Sequence, residues 1–248
     1  MKRFIVLLCC LTVFLIACAE EKKQMVVPVE GFGGTSSNYA EKKAEMLHNL
    51  QVQFPKLKPN AVEALDSIPR MFFINDLVRH RAYEDMALPI GSNQATLKPS
   101  EVGFLLSELD LKPTDTVLEI GTGTGYLTVV MSRLALQIYS IEIIEYLSEI
   151  ARGWIERLQI TNVKLRNANG LNGWEKFAPF DVIVVTASVK TWPEKLVDQL
   201  KFGGRIAAPI INEDGDTEWI LATKSESGLE EFARRKTSVS PAVDEMSE

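Results

Sequence analysis

The sequence predicts an α/β protein: a doubly wound, mostly parallel sheet with an antiparallel edge toward its C-terminus and a helical cap before it. Three observations carry this expectation. From residue 99 onward, short apolar runs alternate with segments of helical spacing. Three glycines, Gly121, Gly123 and Gly125, sit where the first such run gives way to a helical segment. The last two apolar runs have no helical segment between them. Strict alternation of strand and helix makes parallel strands covered on both faces, whereas strands joined directly pair antiparallel. With 248 residues, 46% hydrophobic and 24% charged, the composition is that of an ordinary globular protein long enough to bury one full core.

In chain order, the first segment stands apart. Met1, Lys2 and Arg3 precede an uncharged apolar run over 4–17 that ends Leu15-Ile16-Ala17-Cys18. The run is short for a bilayer span and has the form of a secretory signal. Small and apolar residues directly before a cysteine resemble the lipobox of bacterial lipoproteins, in which lipid joins the sulfur and cleavage makes Cys18 the new N-terminus. Cleavage without lipid, or retention as an anchor helix, are the alternatives. Residues 19–40 are charged and then rich in Gly and Ser, with no sustained apolar period. The organisation read here is a signal peptide over 1–17, a tether over 18–40 and one folded domain over 41–248. Cys9, Cys10 and Cys18 all lie before that domain, which therefore has no disulfide, thiolate nucleophile or cysteine-held metal. The net charge is −6, and loss of Lys2 and Arg3 with the signal leaves the remainder two units more acidic. An acidic body argues against nucleic acid as a partner.

Within the domain, 41–52 and 60–68 read as helices, and a mixed segment over 69–91 carries Met71, Phe72, Phe73, Ile74 and Tyr83; together these form the cap. Pro99 suits the first turn of a helix whose apolar positions are Val102, Phe104, Leu105 and Leu109. Strands follow over 116–120, 137–142, 162–166, 181–186 and 205–210, with helices over 124–135, 144–158 and 192–200. The segments 219–224 and 230–240 form the antiparallel edge.

The glycine loop is the first candidate site. Directly after a strand and before a helix, the backbone must turn tightly and approach a ligand, so side chains are unwelcome at Gly121, Gly123 and Gly125. The spacing is G-x-G-x-G, and no Gly-Lys-Ser/Thr follows, so a triphosphate cradle lacks its lysine. Glu119, just before the loop, repels a pyrophosphate and suits a cation; a sulfonium bearing an amino group fits. Glu142, at the end of the second strand, has two acceptor oxygens for the hydroxyls of a ribose. After the third strand, Asn169-Gly170 occupies the place where a ring could be held by an amide or carboxylate; by itself Asn-Gly is a turn.

Taken together these residues resemble the S-adenosylmethionine-dependent methyltransferases of the protein-L-isoaspartate O-methyltransferase family. The resemblance runs from about Ala61 to the C-terminal strands. It rests on Ala64-Leu65, Ile68-Pro69-Arg70 and Phe73; Ala82-Tyr83-Glu84-Asp85 with Ala87-Leu88-Pro89-Ile90-Gly91; the loop Glu119 to Tyr126; Ser140-Ile141-Glu142; Gly173-Trp174; Ala178-Pro179-Phe180-Asp181; Val185-Thr186-Ala187; and Leu200-Lys201-Phe202-Gly203-Gly204-Arg205. It implies a Rossmann-like methyltransferase fold and S-adenosyl-L-methionine as cofactor, held by Glu119, Gly121, Thr122, Gly123, Thr124, Gly125, Glu142, Asn169 and Gly170. It also implies methyl transfer to the free carboxylate of isoaspartyl residues in damaged proteins, leading through a succinimide to repair. A carboxylate is already nucleophilic at neutral pH, so alignment supplies most of the rate. His48 and His80, the two histidines, are accordingly structural or solvated. Two positions depart from the family pattern. Leu97 stands at the serine whose hydroxyl contacts the reacting carboxylate, leaving Thr96 as the catalytic hydroxyl, and Asn169 stands at an aspartate. Two other readings remain: a catalytically silent methyltransferase-like binding module of the cell envelope, favoured by Leu97, and a methyltransferase for another carboxylate. With the lipid on Cys18, membrane attachment in the envelope is expected; Ala19-Glu20 in place of an aspartate after the cysteine points to the outer membrane.

Overall fold

The structure, a computed structural model, describes residues 36–241. The signal, Cys18 and most of the tether lie outside the described residues. Helix α1 (Ser36–Gln53) begins within the stretch read as tether, five residues before the expected start at Glu41, and α2 (Pro59–Ser67) follows with proline in its first turn. Two 3-10 turns, Arg70–Phe73 and Arg79–Arg81, and a small hairpin of β1 (Pro89–Gly91) and β2 (Gln94–Ala95) complete the cap. Helix α3 (Pro99–Leu109) packs on α1 so closely at Gly103 that a β-carbon there would stand 2.9 Å from Leu50 Cδ2. A side chain there would require Leu50 and Phe54 to shift.

The main sheet contains β3 (Thr116–Ile120), β4 (Gln137–Glu142), β5 (Val163–Asn167), β6 (Phe180–Val185), β7 (Leu200–Ile211), β8 (Thr217–Ser225) and β9 (Gly228–Thr237). Their order is β5-β4-β3-β6-β7-β8-β9. The first five in that order are parallel, and β8 and β9 add antiparallel at one side, as the sequence pattern predicts. Successive side chains alternate between two cores: Val117, Val182 and Val184 face the cap, and Leu118, Ile183 and Val185 face the other layer. Between β3 and β6 the order of strands reverses direction, and the crevice at the carboxyl ends there is where open α/β sheets bind ligands.

Element lengths differ from expectation where the backbone has a local reason. Helix α4 spans Tyr126–Ser132, shorter than 124–135, because Gly125 caps it at φ +95° and the Thr124 hydroxyl is drawn to Phe73 O at 2.8 Å. Helix α5 (Glu145–Arg157) is close to expectation. Helix α6 is confined to Glu194–Asp198, since Leu200 already pairs with Phe180 and opens β7, a strand of 12 residues in place of six. No α-helix joins β5 to β6; the 3-10 turns Gly170–Asn172 and Glu175–Phe177 stand there. That face is covered instead by stacked rings, Tyr139 on Phe177 at 4.3 Å between centroids and Trp174 edge-on to both.

At the opposite end of the sheet from the crevice, Asp181 ties three strands. Thr116 donates its N–H and hydroxyl to Asp181 Oδ2 at 2.8 and 2.6 Å, and Lys201 Nζ donates to Oδ1 at 2.8 Å. Removing the acceptor strands a half-buried N–H. Asp181→Ala is therefore expected to cost about 1–3 kcal/mol in urea unfolding; an unchanged midpoint would show that water replaces the carboxylate fully.

Candidate active site

A cleft opens at the carboxyl ends of β3, β4 and β6, with about 1030 Å³ of empty space including its mouth. Thr96, Gly121, Thr122, Gly123, Thr124, Glu142, Asn169 and Gly170 line it, so eight residues expected from the sequence meet at one place. Glu119 and Gly125 do not line it. Gly125 serves the turn into α4 and the packing of that turn on α5, where an added β-carbon would lie 3.2 Å from Ala151 Cβ.

The cradle is shaped by missing side chains. Gly121 has φ +92°, and a β-carbon there would fall 2.3 Å from the Thr186 hydroxyl, which donates to the carbonyls of Ile120 and Gly121 at 3.0 and 2.7 Å. A β-carbon on Gly170 would fall 2.4 Å from Ile120 Cγ2. Both glycines thus let side chains of neighbouring segments approach closely at the end of β3, and Asn169 stands beside Gly170 on the cleft wall. Asn169 Oδ1 accepts from Leu171 N at 2.9 Å, which sets the turn after β5.

Glu142 is buried, and burial pushes its carboxyl above the usual range against the N–H donors that stabilise its charge. Oε2 accepts from Gly123 N at 2.7 Å and Oε1 from Ile144 N at 3.0 Å. Each oxygen keeps lone-pair capacity beside the cleft, the acceptor set a vicinal diol needs. The glycine cradle and this acceptor pair fit the ribose, the ring and the cationic sulfur of S-adenosylmethionine.

Glu119 works one layer below the cleft, a correction to its expected direct contact. It is fully buried; Ser140 donates to its Oε2 at 2.6 Å, Thr128 donates to the same oxygen, and Oε1 has no partner. Since the Ser140 proton is spent on Glu119, Thr122 must donate in the 2.6 Å contact between the Thr122 and Ser140 hydroxyls. Glu119 therefore fixes the orientation of a hydroxyl on the cleft wall. Burial pushes its carboxyl up to about 7, opposed by the Ser140 and Thr128 hydrogen bonds and assisted by the Glu142 charge.

Sequence reasoning assigned no site role to Arg70 or Thr186. Arg70 has no accessible surface, and its guanidinium ties the segment after β2 to the turn before β1: Nη2 donates to Thr96 Oγ1 at 2.7 Å and to Leu97 O at 2.8 Å, and Nη1 donates to Ala82 O. The signal that could have found it is a lone cation between Ile68 and the apolar run Met71 to Ile74. Leu97 lines the cleft with an aliphatic side chain where a hydroxyl was sought, and neither His48 nor His80 is on its wall. Pro241 forms part of the rim, drawn in by a bridge to Ser188 in which Ser188 N donates to Ser240 O at 2.9 Å.

The Glu119 carboxyl binds its proton more tightly folded than unfolded, so its stabilising contribution is full below pH 4.5 and is lost as pH rises through about 7. The neutral isostere Glu119→Gln is expected to remove that slope, worth on the order of 3 kcal/mol across the window. Urea unfolding at pH 5 and pH 8 checks this; a wild-type-to-variant difference that is the same at both pH values contradicts it.

Comparison with known proteins agrees with this fold. The sequence model of the family described as protein-L-isoaspartate(D-aspartate) O-methyltransferase matches residues 41–245. A protein-L-isoaspartate O-methyltransferase of Roseobacter denitrificans is 37% identical over 83% of this chain and 96% of its own length. One from Syntrophus aciditrophicus is 42% identical over 62% of this chain and 71% of its own. A solved protein-L-isoaspartate O-methyltransferase superposes with a TM-score of 0.72 at 29% identity, covering 81% of this chain and 65% of that one. A Plasmodium falciparum protein of the same description, solved with S-adenosyl-L-homocysteine, shares the fold with a TM-score of 0.69 at 24% identity, covering 81% and 97%. The chain belongs to the protein-L-isoaspartate O-methyltransferase family.

Proposed function

We propose that this protein methylates the free carboxylate of L-isoaspartyl residues in damaged proteins, using S-adenosyl-L-methionine, so that the ester closes to a succinimide and part of the product returns to normal aspartate. The observation that carries the reading is the cleft itself: a glycine cradle and the Glu142 acceptor pair at one end, and the 94–97 segment with Thr96 at the other. When bound, S-adenosylmethionine supplies a methyl group on cationic sulfur. Glu142 would take the ribose hydroxyls, Gly170 and Asn169 would flank the adenine, and Gly121 and Gly123 would let the backbone approach. A carboxylate acceptor needs no base, in keeping with a cleft wall that carries no histidine. What the protein contributes is alignment, with Ile90, Leu97 and Ile144 supplying apolar wall to the cleft.

The full chain is expected to transfer labelled methyl from S-adenosylmethionine to an isoaspartyl peptide and not to its normal aspartyl counterpart. Glu142→Ala is expected to weaken cofactor binding by about 1–3 kcal/mol. Tight cofactor binding in calorimetry without any transfer would instead support the silent binding module, for which Leu97 in place of a hydroxyl-bearing residue is the favouring feature.

The location proposed is the cell envelope. The basic start, the apolar run over 4–17 and Leu15-Ile16-Ala17-Cys18 support a lipid anchor on Cys18, and Ala19-Glu20 favours the outer membrane. Among the described residues no helix is long and apolar enough to cross a membrane. The substrates would then be aged envelope proteins. A fatty-acid analogue should label the wild-type chain and not Cys18→Ser; labelling of neither would remove the anchor from the proposal.

A further inference from the structure

Arg70 presents an unusual balance of charge. Its guanidinium is wholly buried, yet its hydrogen-bond partners are neutral oxygens: the carbonyls of Ala82, Met86 and Leu97 and the Thr96 hydroxyl. The two carboxylates whose charges reach it are engaged elsewhere. Asp85 Oδ1 accepts from Ser100 N at 2.8 Å, while Glu101 Oε2 accepts from Lys98 N at 2.8 Å and its Oε1 from Thr237. Burial lowers the affinity of Arg70 for its proton, and Nε has no partner. A buried cation whose hydrogen bonds all go to neutral oxygens, with the Tyr126 ring 5.9 Å away and the carboxylates acting only from a distance, is costly to maintain, so a fold that keeps one next to its cleft invites the question of which anion completes it.

The answer lies in the hydroxyl that Arg70 touches. Thr96 Oγ1 accepts from Arg70 Nη2 at 2.7 Å and from Leu88 N at 3.1 Å. A hydroxyl oxygen has two lone pairs and one proton, so its capacity to accept is filled and only donation remains. Thr96 is partly exposed and lines the cleft, and among the described residues no hydrogen bond uses its proton. Donation from a guanidinium also polarises the hydroxyl and strengthens it as a donor. Another Nη2 bond goes to Leu97 O at 2.8 Å, which fixes the guanidinium beside the next residue of the same segment. Arg70 therefore leaves the Thr96 hydroxyl of this wall with only its proton to offer, backed by positive charge.

We propose that Arg70 is a positioning residue that commits the Thr96 hydroxyl to donate to the acceptor carboxylate, and that this pair makes the site select a carboxylate over its neutral amide. The inference rests on the proposed function, since it names how the same cleft recognises its acceptor. It also accounts for the aliphatic side chain at position 97: the donor is supplied from position 96, and Leu97 contributes apolar surface beside it.

The test measures binding, so it does not depend on turnover. The full chain, saturated with S-adenosylhomocysteine, is titrated into two fluorescent peptides, one with a free isoaspartyl carboxylate and one with that group as the primary amide. The wild type is expected to prefer the carboxylate at least tenfold. Thr96→Val, which keeps the branched shape, should bring the two affinities within about threefold, and Thr96→Ser should restore the preference. Arg70→Met should reduce the preference similarly while S-adenosylhomocysteine affinity stays within about twofold. If Arg70→Met does not fold, the valine and serine variants decide, because Arg70 is proposed to act through that hydroxyl alone. Equal affinity of the wild type for both peptides overturns the inference, with or without methyl transfer. So does a preference that survives in Thr96→Val. A wild type that selects the carboxylate yet transfers no methyl removes the enzymatic reading and leaves the inference standing.

Discussion

Excluded volume at the end of β3 is the constraint on which the cleft depends. Gly121 turns with a positive φ under the Thr186 hydroxyl, and Gly170 comes up against Ile120, so a β-carbon at either place would collide at 2.3 or 2.4 Å. These contacts bring the end of β3, the turn after β5 and the start of the segment after β6 within reach of one small molecule. The parallel strands supply rigidity, but their carboxyl ends would diverge into ordinary loops without this close approach. The Glu142 carboxylate then fastens the middle of the loop, at Gly123, to the end of β4.

On that frame two threonines of the cleft are given opposite hydrogen-bonding character by two buried ionisable groups. Glu119 takes the Ser140 proton, Ser140 in turn takes the Thr122 proton, and the Thr122 lone pairs are left for the cleft. Arg70 does the reverse to Thr96, filling its lone pairs and leaving its proton. An acceptor at one end suits a cationic donor molecule and a donor at the other suits an anionic recipient. Neither charge lines the cleft, so each acts through a neutral threonine that presents no net charge to bind the wrong partner strongly.

Most of the sheet and most of the cleft were legible because their signals are local. Alternating apolar runs located all seven strands of the main sheet, and glycine spacing with a carboxylate at the end of the next strand located the cofactor end. What was not legible depends on contacts between distant segments. Helix α4 starts two residues later than expected because Thr124 is drawn to Phe73, 51 positions away. Glu119 was expected in the cleft because its place before the loop shows proximity but not direction; on β3 it points to the side where Ser140 and Thr128 receive it. Arg70 reads locally as one charge in an apolar stretch, and its meaning appears only when Leu88, Thr96 and Leu97 fold back over it. The crossover from β5 to β6 lacks a helical period because aromatic rings do the covering, and such stacking leaves no periodic trace.

The way the chain leaves the sheet also bears on how the protein can be handled. After β9 the backbone crosses toward Ser188 and reaches the rim of the cleft at Pro241, where Ser240 is hydrogen-bonded in place. A bulky group attached at Pro241 itself would therefore crowd the rim of the cleft. Reporters and affinity handles belong in the tight β8–β9 turn around Ser227, which projects from the far edge of the sheet.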